Sequence, residues 1–565
     1  MDGPLGPVAA EIAQALGVTA LTARILVLRG HRDAKGARRF LDADLQDLHD
    51  PFLLNDMDAA ADRIARAVRD GETIAVFGDY DVDGVTGASL VTLFLRELGA
   101  QVLPYVPNRF TEGYGLNLGA VRTLAEAGAK VLITVDCGVT SVEEAALARE
   151  LGVDLIVNDH HEPGPAIPQA FALLNPKLAG NAFPFDGICG TGVAFHLLMA
   201  LRARLREGGF FATHPEPNLL RYLDLVAIAT VADLVPLVDV NRVLVKYGLR
   251  EMAKSERAGV RALLEVGEIN PARLNAGHLG FQIGPRLNAA GRLGSGLLGL
   301  ELLTSGRIED ALPLARKLDE ANRTRRRIER EIAEDAVAMV ERETDWTARR
   351  ALVYGSERWH QGVVGIVASR LVERFYRPTI LIAFEGDEGR GSARSIEGFH
   401  LLDCMRACGD HLETYGGHKY AAGLRIRKDR LAGFREAFEA EAAERLDEGM
   451  LHPRLKIDAE VRFPELGGTF IDEVERLAPF GLGNARPVFV TRGADVRGVR
   501  ILRGGHVKLR LSQDGVDFDA IGFGMEAVAP GPGAHIDIAF TAEPSTFGGG
   551  RRLELNLKDL RESAA

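Results

Sequence analysis

Four apolar, strand-like segments in the first 235 residues each end in side chains that can bind a metal ion. These segments are residues 73–77, 131–135, 155–158 and 225–232. The side chains at their ends are Asp79, Asp81 and Asp83, then Asp136, then His160 and His161, and finally Asp233. In an open parallel sheet, the carboxyl ends of the strands meet at one crevice, where ligands bind. The pattern therefore predicts an α/β fold with all seven side chains at that crevice.

Each part of this pattern also has an ordinary structural explanation. A single aspartate after a strand, such as Asp136 or Asp233, is more often the N-cap of a helix. Adjacent histidines are ambiguous on their own. Three aspartates at alternate positions are harder to explain in this way, because like charges that are buried together raise each other's pKa unless a cation balances them. The joint occurrence of all four groups favours a metal site.

The types of ligand indicate which metal ions to expect. Carboxylates favour Mg and Mn, whereas imidazole suits transition metals, so this set favours Mn²⁺ with Mg²⁺ as a substitute. The carboxylates are too many for one ion. Two ions about 3.5 to 4 Å apart can clamp the attacking and leaving oxygens of a phosphoryl displacement and acidify a water molecule. The sequence therefore predicts a phosphoesterase centre with two ions.

Several motifs resemble those of a known enzyme family. GDYDVDG (78–84), TVDCG (134–138), NDHH (158–161) and ATVADLVPL (229–237) resemble the four motifs of the DHH phosphoesterase superfamily. Further motifs resemble the RecJ single-strand-specific 5′-to-3′ DNA exonucleases within it: PNRFTEGYGL (107–116), CGTGVAF (189–195), IGPRLNAAGRLG (283–294), WHQGVVGIVASRL (359–371), GRGSARS (389–395), YGGHKYAAG (415–423) and PFGLGNARP (479–487). The resemblance covers nearly the whole chain.

The resemblance implies roles for the side chains at the crevice. The residues that would hold two Mn²⁺ or Mg²⁺ ions are Asp81, Asp83, Asp136, His160 and Asp233, with Asp79 ligating or supporting. Asp83 and Asp136 would then be catalytic as well. His161 would face the scissile phosphate, where an imidazolium could stabilise charge or protonate a leaving oxygen.

The length of the chain predicts several domains, because 565 residues exceed what one hydrophobic core serves. From residue 455 onward, short alternating strands separated by Gly, Pro and Asp are typical of a small barrel such as the OB fold. We predict two α/β lobes, DHH and DHHA1, joined by a long helix around a cleft, plus a C-terminal all-β, OB-like barrel. The expected ranges are an N-terminal helical segment (1–70), the DHH domain (71–300), the connecting helix (301–347), the DHHA1 domain (348–450) and the nucleic-acid-binding barrel (451–565).

A group of basic and polar side chains is expected to contact DNA phosphates. The motifs at 389–395 and 415–423 are predicted to form glycine-rich turns, whose backbone N–H groups can approach an anion. The candidate contacts are Arg109, Arg286, Asn288, Arg292, Ser392, Arg394, Ser395 and His418. Alternatively, these side chains would only stabilise turns and cap helices. The family's preference for a 5′ end implies a pocket for the terminal phosphate, built from Arg109, Arg286, Ser392 and Arg394.

The net charge, the cysteines and the apolar stretches of the chain bear on its partners and its location in the cell. The net charge of −11 does not exclude a nucleic-acid partner, because binding depends on local fields and occupied metal sites are themselves positive. The four scattered cysteines are typical of reduced thiols in a cytoplasmic protein. No apolar stretch reaches the roughly 18 residues that a membrane span requires, so no membrane association is expected.

The leading interpretation is a single-stranded-DNA-specific 5′-to-3′ exonuclease that releases 5′-mononucleotides and acts in DNA repair and recombination. The resemblance implies single-stranded DNA, a helicase and a single-strand-binding protein as partners, and we expect a monomer. One alternative is a DHH enzyme for small substrates, such as a phosphatase or nano-RNase. Another is a DHH scaffold that has lost its activity. The strand-rich C-terminal region argues against the first, and the intact acids argue against the second.

Overall fold

The structure is a computed structural model that describes residues 6–109, 111–293, 296–343, 345–545 and 552–563. Its helices are α1 (Gly6–Leu16), α2 (Ala20–Leu28), α3 (Ala34–Asp42), α4 (Met57–Asp70), α5 (Val82–Glu97), α6 (Leu118–Glu126), α7 (Val142–Glu150), α8 (Gly190–Glu207), α9 (Leu223–Ala232), α10 (Asp239–Ala253), α11 (Ala258–Val266), α12 (Ala276–His278), α13 (Gly284–Leu293), α14 (Leu297–Thr304), α15 (Ile308–Glu341), α16 (Val364–Phe375), α17 (Leu401–Ala407), α18 (Leu431–Arg445) and α19 (Phe470–Arg476). Its strands are β1 (Thr73–Gly78), β2 (Gln101–Tyr105), β3 (Val131–Val135), β4 (Asp154–Asn158), β5 (Ala172–Leu174), β6 (Leu352–Ser356), β7 (Thr379–Glu385), β8 (Glu388–Arg394), β9 (Thr414–Gly417), β10 (Ala421–Arg427), β11 (Ala459–Glu460), β12 (Phe489–Leu502), β13 (His506–Gln513), β14 (Val516–Gly522), β15 (His535–Ser545) and β16 (Arg552–Glu562). Among these described residues, no helix has both the length and the apolar character that crossing a membrane requires.

The first lobe is a parallel five-stranded sheet with helices on both faces. The strand order is β2-β1-β3-β4-β5, and every neighbouring pair is parallel. Successive residues of β3 point to opposite faces, so Val131 and Ile133 join the core beneath α5 and α8 while Leu132 joins the core beneath α6 and α7. This arrangement confirms the predicted α/β lobe. It also brings the carboxyl ends of β1, β3 and β4 to one edge of the sheet.

The predicted strand at residues 225–232 is wrong, because this segment lies within helix α9. Residues 223–229 are all fully buried. An apolar run that is buried on every side shows no periodicity, so its sequence does not distinguish a strand from a helix. Asp233 therefore reaches the crevice from the C-terminal end of a helix. Helix α5 begins at Val82, directly after Asp81, so Asp83 lies in its first turn.

The second lobe follows the 34-residue helix α15, which continues without a break through Pro313. Its sheet has the order β6-β7-β8-β10-β9, with β6 and β7 parallel and the other pairs antiparallel. The two motifs predicted as glycine-rich turns are instead mostly strands. Residues 389–394 lie in β8, and residues 415–417 and 421–423 lie in β9 and β10. Of the second motif, only residues 418–420 lie outside the strands, where they connect β9 to β10. The glycines of both motifs fit the strands, since glycine allows neighbouring backbones to pack closely.

The C-terminal strands close into a five-stranded barrel, which confirms the predicted OB-like fold. Strands follow the order β12-β13-β14-β16-β15, and an additional pairing of β12 with β15 closes the ring. Strand β12 is the longest of them, with 14 residues. Register shifts near Thr491 and Val496 bend β12, so it pairs with β15 along its first part and with β13 along its second.

The N-terminal helices pack against this barrel, which the sequence analysis did not predict. Apolar side chains of α1, α2 and α3 share one core with the barrel strands and with α19. Ile12, Ile25 and Leu26 are fully buried in this core, as are Phe489 and Phe540 from β12 and β15. Residues 6–42 and 459–562 therefore form one structural unit, called the barrel unit below.

A chain cut after residue 454 should aggregate, because the apolar faces of α1 to α3 would lose their partner. Each apolar side chain that is fully buried contributes about 1.5 to 3 kcal/mol to the free energy of unfolding, so the loss over this core would be large. Removing residues 1–43 as well should restore solubility, since both halves of the shared core are then absent. Soluble yield and binding of a hydrophobic dye to the two truncated chains would test this. Equal solubility of the two chains would contradict it.

Candidate metal centre and phosphate pocket

The metal-capable side chains are brought together by backbone hydrogen bonds that continue the sheet beyond its strands. The amide of Asp79 donates to the carbonyl of Val135 at 3.2 Å, and the amide of Asp136 donates to the carbonyl of Asn158 at 3.0 Å. The residues after β1, β3 and β4 therefore lie side by side. Parallel register alone places Asp79, Asp136 and the two histidines at one edge.

Seven acidic and imidazole side chains form three overlapping groups whose ligand atoms all lie within 4.8 Å of one another inside each group. The groups are Asp79, Asp81 and Asp136; Asp83, His160 and Asp233; and Asp136, His160 and His161. Nε2 of His160 lies 3.0 Å from Oδ1 of Asp136, 3.5 Å from Asp233 and 3.7 Å from Asp83. Asp136 and His160 each take part in two groups. Asp136 would therefore be a candidate ligand of both ions if two were bound.

Asp83 is held by the N-terminus of α8. Its Oδ2 accepts a hydrogen bond from the Gly190 amide at 2.7 Å, and its Oδ1 accepts one from the Thr191 amide at 2.8 Å. A Cβ on residue 190 would lie 2.9 Å from the Cα of Asp136, so only glycine allows the helix to approach this closely. The motif at 189–195 therefore orients a carboxylate of the centre.

Asp159 is a supporting residue that the sequence analysis missed. It is 1 % exposed, and its carboxylate accepts hydrogen bonds from the amides of Val139, His160 and His161. Its Oδ1 also lies 2.8 Å from Nδ1 of His161. This contact assigns the proton to Nδ1 and orients the half-exposed His161 ring. Asp159 sits within the NDHH motif, but nothing in its residue type distinguishes a supporting carboxylate from a ligand.

The electrostatics of the cluster fit divalent cations. Burial, together with the charge of Asp81, raises the pKa of Asp79 to about 8, and burial with the charges of Asp83 and Asp81 raises the pKa of Asp233 to about 9. Burial also raises the pKa of Asp136 well above its usual value. Within the described residues, Oδ1 of Asp136, Nε2 of His160 and Oδ2 of Asp233 are buried without a hydrogen-bond partner. A cation satisfies unpaired atoms of this type, and the donor set is one that Mn²⁺ and Mg²⁺ accept.

Adding Mn²⁺ to chelator-treated protein should raise Tm, and the rise should grow between about pH 5 and pH 8. The unfolded aspartates release their protons near pH 3.8, whereas Asp79 holds its proton up to about pH 8 in the fold. The metal-free fold therefore loses stability as pH rises through this window, and a bound cation removes that loss. Differential scanning fluorimetry at several pH values would measure the effect. A rise in Tm that is the same at every pH would contradict it.

A second site, the phosphate pocket, lies between the two lobes. It is a cavity of about 380 Å³ lined by Arg109, Arg292, Gln361, Gly362, Gly365, Arg390, Gly391, Ser392, Arg394, Gly417, Ala421, Ala422 and Gly423. Across the described residues, no carboxylate oxygen lies within 4 Å of a guanidinium nitrogen of Arg109, Arg292, Arg390 or Arg394. Burial and the proximity of Arg109 lower the pKa of Arg292 to about 10. Four arginines that lack acidic partners in the described part of the chain suit a bound anion.

The N-terminus of helix α16 completes the phosphate pocket. Arg394 donates from Nη1 to Ser392 Oγ at 2.9 Å, so the two side chains are oriented together. A Cβ on residue 365 would lie 2.8 Å from Ser392 Oγ and 3.1 Å from Arg394 Nη2, so glycine is needed for the helix to reach them. The positive end of a helix dipole favours anions at such a terminus.

The structure gives other partners or surroundings to four of the predicted phosphate contacts. Arg286 pairs with Asp319 at 3.0 Å, and Asn288 accepts from the Val82 amide at 3.2 Å. Ser395 donates to the Phe399 carbonyl, and His418 is exposed in the turn between β9 and β10. None of the four lines the phosphate pocket. Arg109, Arg292, Ser392 and Arg394 do line it, and their contacts with DNA stay a prediction.

Arg390 is a pocket residue that the sequence analysis did not select. It lies in β8 with Ser392 and Arg394. Side chains at alternate positions of a strand share one face, so residues 390, 392 and 394 point the same way. Reading the GRGSARS motif as a strand rather than a turn would have identified it.

Comparison with known proteins decides the family. The DHH family, N-terminal domain, matches residues 73–230, the DHHA1 domain matches 348–444, and the RecJ OB domain matches 457–559. The single-stranded-DNA-specific exonuclease RecJ of Dickeya dadantii (strain 3937) is 39 % identical over 561 residues, covering 96 % of both chains. The chain belongs to the RecJ family. The RecJ of Bacillus subtilis (strain 168) is 37 % identical over 556 residues, covering 97 % of this chain and 69 % of its own.

A solved RecJ structure has the same fold. RecJ from Thermus thermophilus in complex with Mn²⁺ superposes with a TM-score of 0.85 and 32 % identity, covering all of this chain and 79 % of that one. The same protein in complex with Mg²⁺ superposes with a TM-score of 0.79 and 29 % identity, covering all of this chain and 78 % of that one. These matches confirm the family resemblance and the arrangement of two α/β lobes and a barrel. The Thermus thermophilus protein is in complex with Mn²⁺ and Mg²⁺, the two ions that the sequence analysis predicts.

Proposed function

We propose that this RecJ family member is a single-stranded-DNA-specific 5′-to-3′ exonuclease that releases 5′-mononucleotides by two-metal-ion hydrolysis. One observation carries the proposal: the phosphate pocket adjoins the metal centre. Tyr80 lies in the chain between Asp79 and Asp81, and its ring is 5.2 Å from the guanidinium of Arg109. Glycines 291 and 296 pack against its backbone carbonyl. A strand whose terminal phosphate occupies the pocket therefore presents a neighbouring phosphodiester to the acids.

This geometry supports a strand-end specificity and a product of constant length. A terminal phosphate carries more negative charge than an internal phosphodiester, so the four arginines of the pocket favour a phosphorylated strand end. The preference for the 5′ end follows from the family resemblance. The pocket fixes the end of the strand at one distance from the metal centre. Cleavage at that fixed distance releases a short product of constant length and leaves a new 5′ phosphate for the next round.

The side chains of the centre have separate roles in this proposal. Asp79, Asp81, Asp83, Asp136, His160 and Asp233 would hold two Mn²⁺ ions, or Mg²⁺ as a substitute. Bound ions supply charge stabilisation at the scissile phosphate and acidify a water molecule. His161, oriented by Asp159, faces the cleft half-exposed and would stabilise charge or donate a proton to the leaving oxygen.

The wider setting is part of the same proposal. The barrel and the family support single-stranded DNA as the substrate, and a duplex with a major groove about 12 Å wide would not enter a narrow cleft. We propose a role in DNA repair and recombination, with a helicase and a single-strand-binding protein as partners, a monomeric state and a cytoplasmic location. All four cysteines are free and buried, which suits a reducing compartment. We also propose the domain division at 71–300, 348–450 and 451–565.

Digestion of end-labelled single strands tests the proposal. A strand with a 5′ phosphate should lose its 5′ nucleotides in Mn²⁺, more slowly in Mg²⁺ and not at all with a chelator. A 3′-phosphorylated strand with a 5′ hydroxyl should be a poorer substrate. Faster hydrolysis of a dinucleotide than of a long strand would favour a small-substrate enzyme instead, and no hydrolysis in either metal would favour an inactive scaffold.

A further inference from the structure

Arg242, on helix α10 of the first lobe, is the largest side chain that the described residues bury fully. Its Nε donates to the Phe40 carbonyl at 2.6 Å, Nη1 to the Leu477 carbonyl at 2.9 Å and Nη2 to the Arg476 carbonyl at 2.8 Å. No carboxylate oxygen of a described residue lies within 4 Å of its guanidinium. A buried charge is costly unless it is well bonded, so this arginine is held by its three carbonyls.

The three carbonyls belong to the barrel unit. Arg476 and Leu477 lie at the C-terminal end of α19, where carbonyls lack helical partners and the helix dipole is negative. The Phe40 ring of α3 lies 3.9 Å from the guanidinium carbon, which adds a cation–π contact. One side chain of the catalytic lobe thus binds both parts of the barrel unit.

A second arginine, within the barrel unit, holds the segment that Arg242 contacts. Arg29, after α2, donates to the Asn484 side chain and, at 2.6 Å, to the Ala485 carbonyl. Asn484 in turn donates from Nδ2 to the carbonyls of Leu477 at 2.9 Å and Pro479 at 2.7 Å. Residues 476–485, called the neck below, are therefore fixed by side chains rather than by regular secondary structure. The PFGLGNARP motif lies almost entirely within the neck.

The neck contacts the segment that carries one of the proposed metal ligands. The Leu237 amide donates to the Leu482 carbonyl at 2.7 Å, and a Cβ on residue 483 would lie 2.9 Å from Pro236. Asp233 begins this segment and Arg242 follows it in α10. The barrel unit is thus bound to the same short stretch of chain that places Asp233 in the centre.

We propose that Arg242 is a positioning residue that fixes the barrel unit against the metal centre, so that a long strand gripped by the barrel enters the centre in one register. This inference rests on the proposed exonuclease function. Two sites on one rigid body bind a long ligand more tightly than two loosely linked sites, because the second contact forms at a higher effective concentration. Substrates too short to reach the barrel gain nothing from this rigidity.

Arg242→Lys and Asn484→Ala test the inference, with Arg261→Met as the matched control. Lysine keeps the charge, but its single ammonium nitrogen cannot replace the three separate nitrogens of a planar guanidinium that donate to the three carbonyls. Arg261 is an exposed arginine of the same lobe, on α11. For a long 5′-phosphorylated oligonucleotide, both test variants should lose about 10-fold in kcat/KM, mainly through KM, because the effective concentration of the second site falls. For a 5′-phosphorylated dinucleotide they should match the control.

Hydrogen exchange of the neck amides supplies a readout that does not depend on activity. The backbone amides of residues 476–485 should exchange faster in both test variants, and their exchange rates should be unchanged in the control. Equal losses on the long and short substrates, or an unchanged KM for the long one, would overturn the inference. If the unaltered protein hydrolyses neither substrate, the proposed function fails instead. In that case, affinity for the long oligonucleotide and exchange of the neck decide the role of Arg242.

Discussion

Asp136→Asn should lower kcat on a 5′-phosphorylated single strand by more than about 100-fold, since changing residues that merely support metal ligands already costs about 10- to 100-fold. Asp136 takes part in two of the three ligand groups and is a proposed metal ligand. Its backbone has a φ of 66°, a left-handed conformation that asparagine tolerates well, so the substitution changes the ligand without straining the turn. Single-turnover hydrolysis of a labelled strand would measure the loss.

Asp70→Asn is the matched control, because Asp70 is an exposed aspartate at the end of α4. It should keep normal kcat. DNA affinity of Asp136→Asn should survive in part, since the phosphate pocket and the barrel are unaltered. The metal-free fold of Asp136→Asn should also lose less stability as pH rises, because one carboxyl group with a raised pKa is removed. Normal turnover by Asp136→Asn would refute the assignment of the metal centre.

Arg394→Met should reduce the preference for a 5′-phosphorylated end over a 5′-hydroxyl end by about 10- to 100-fold in kcat/KM, as expected for a lost hydrogen bond to a charged group. Arg394 lines the phosphate pocket and has no carboxylate partner among the described residues, so its guanidinium is available to an anion. The substitution keeps most of the side-chain volume. Parallel digestion of the two kinds of strand gives the ratio directly.

Two further variants serve as comparisons for Arg394→Met. Ser392→Ala should have a smaller effect, because Ser392 accepts a hydrogen bond from Arg394 and so mainly orients it. Arg406→Met removes an exposed arginine of α17 in the same lobe and should leave the ratio unchanged. A ratio that stays constant in Arg394→Met while overall activity falls would show that the pocket does not hold the terminal phosphate.

The metal centre was predictable from the sequence because its chemistry is local. Carboxylates and histidines that follow apolar runs are visible in the sequence, and the rule for parallel sheets brings their ends together. The position of Asp233 at the end of a helix, rather than of a strand, was not predictable. Residues 225–232 are buried along nearly their whole length, and a uniformly apolar run carries no period by which a helix could be distinguished.

The phosphate contacts were only partly predictable because their availability depends on distant partners. Arg286 and Arg394 look alike in the sequence, but Arg286 is paired with Asp319 on α15, whereas no carboxylate of the described residues pairs with Arg394. Asp159 was missed for a related reason, since its role follows from the amides whose hydrogen bonds it accepts. The packing of α1 to α3 on the barrel also has no local signature, because it joins segments at opposite ends of the sequence.

That packing has a consequence for synthesis on the ribosome. The strands that cover the apolar faces of α1 to α3 are synthesised roughly 400 residues after these helices, which at about 5 to 20 residues per second means a delay of roughly 20 to 80 s. During this delay the nascent chain exposes an apolar surface that no native partner can cover. We expect its biogenesis to depend on chaperones that bind α1 to α3, and a translational pause before the codons of the barrel strands to increase misfolding.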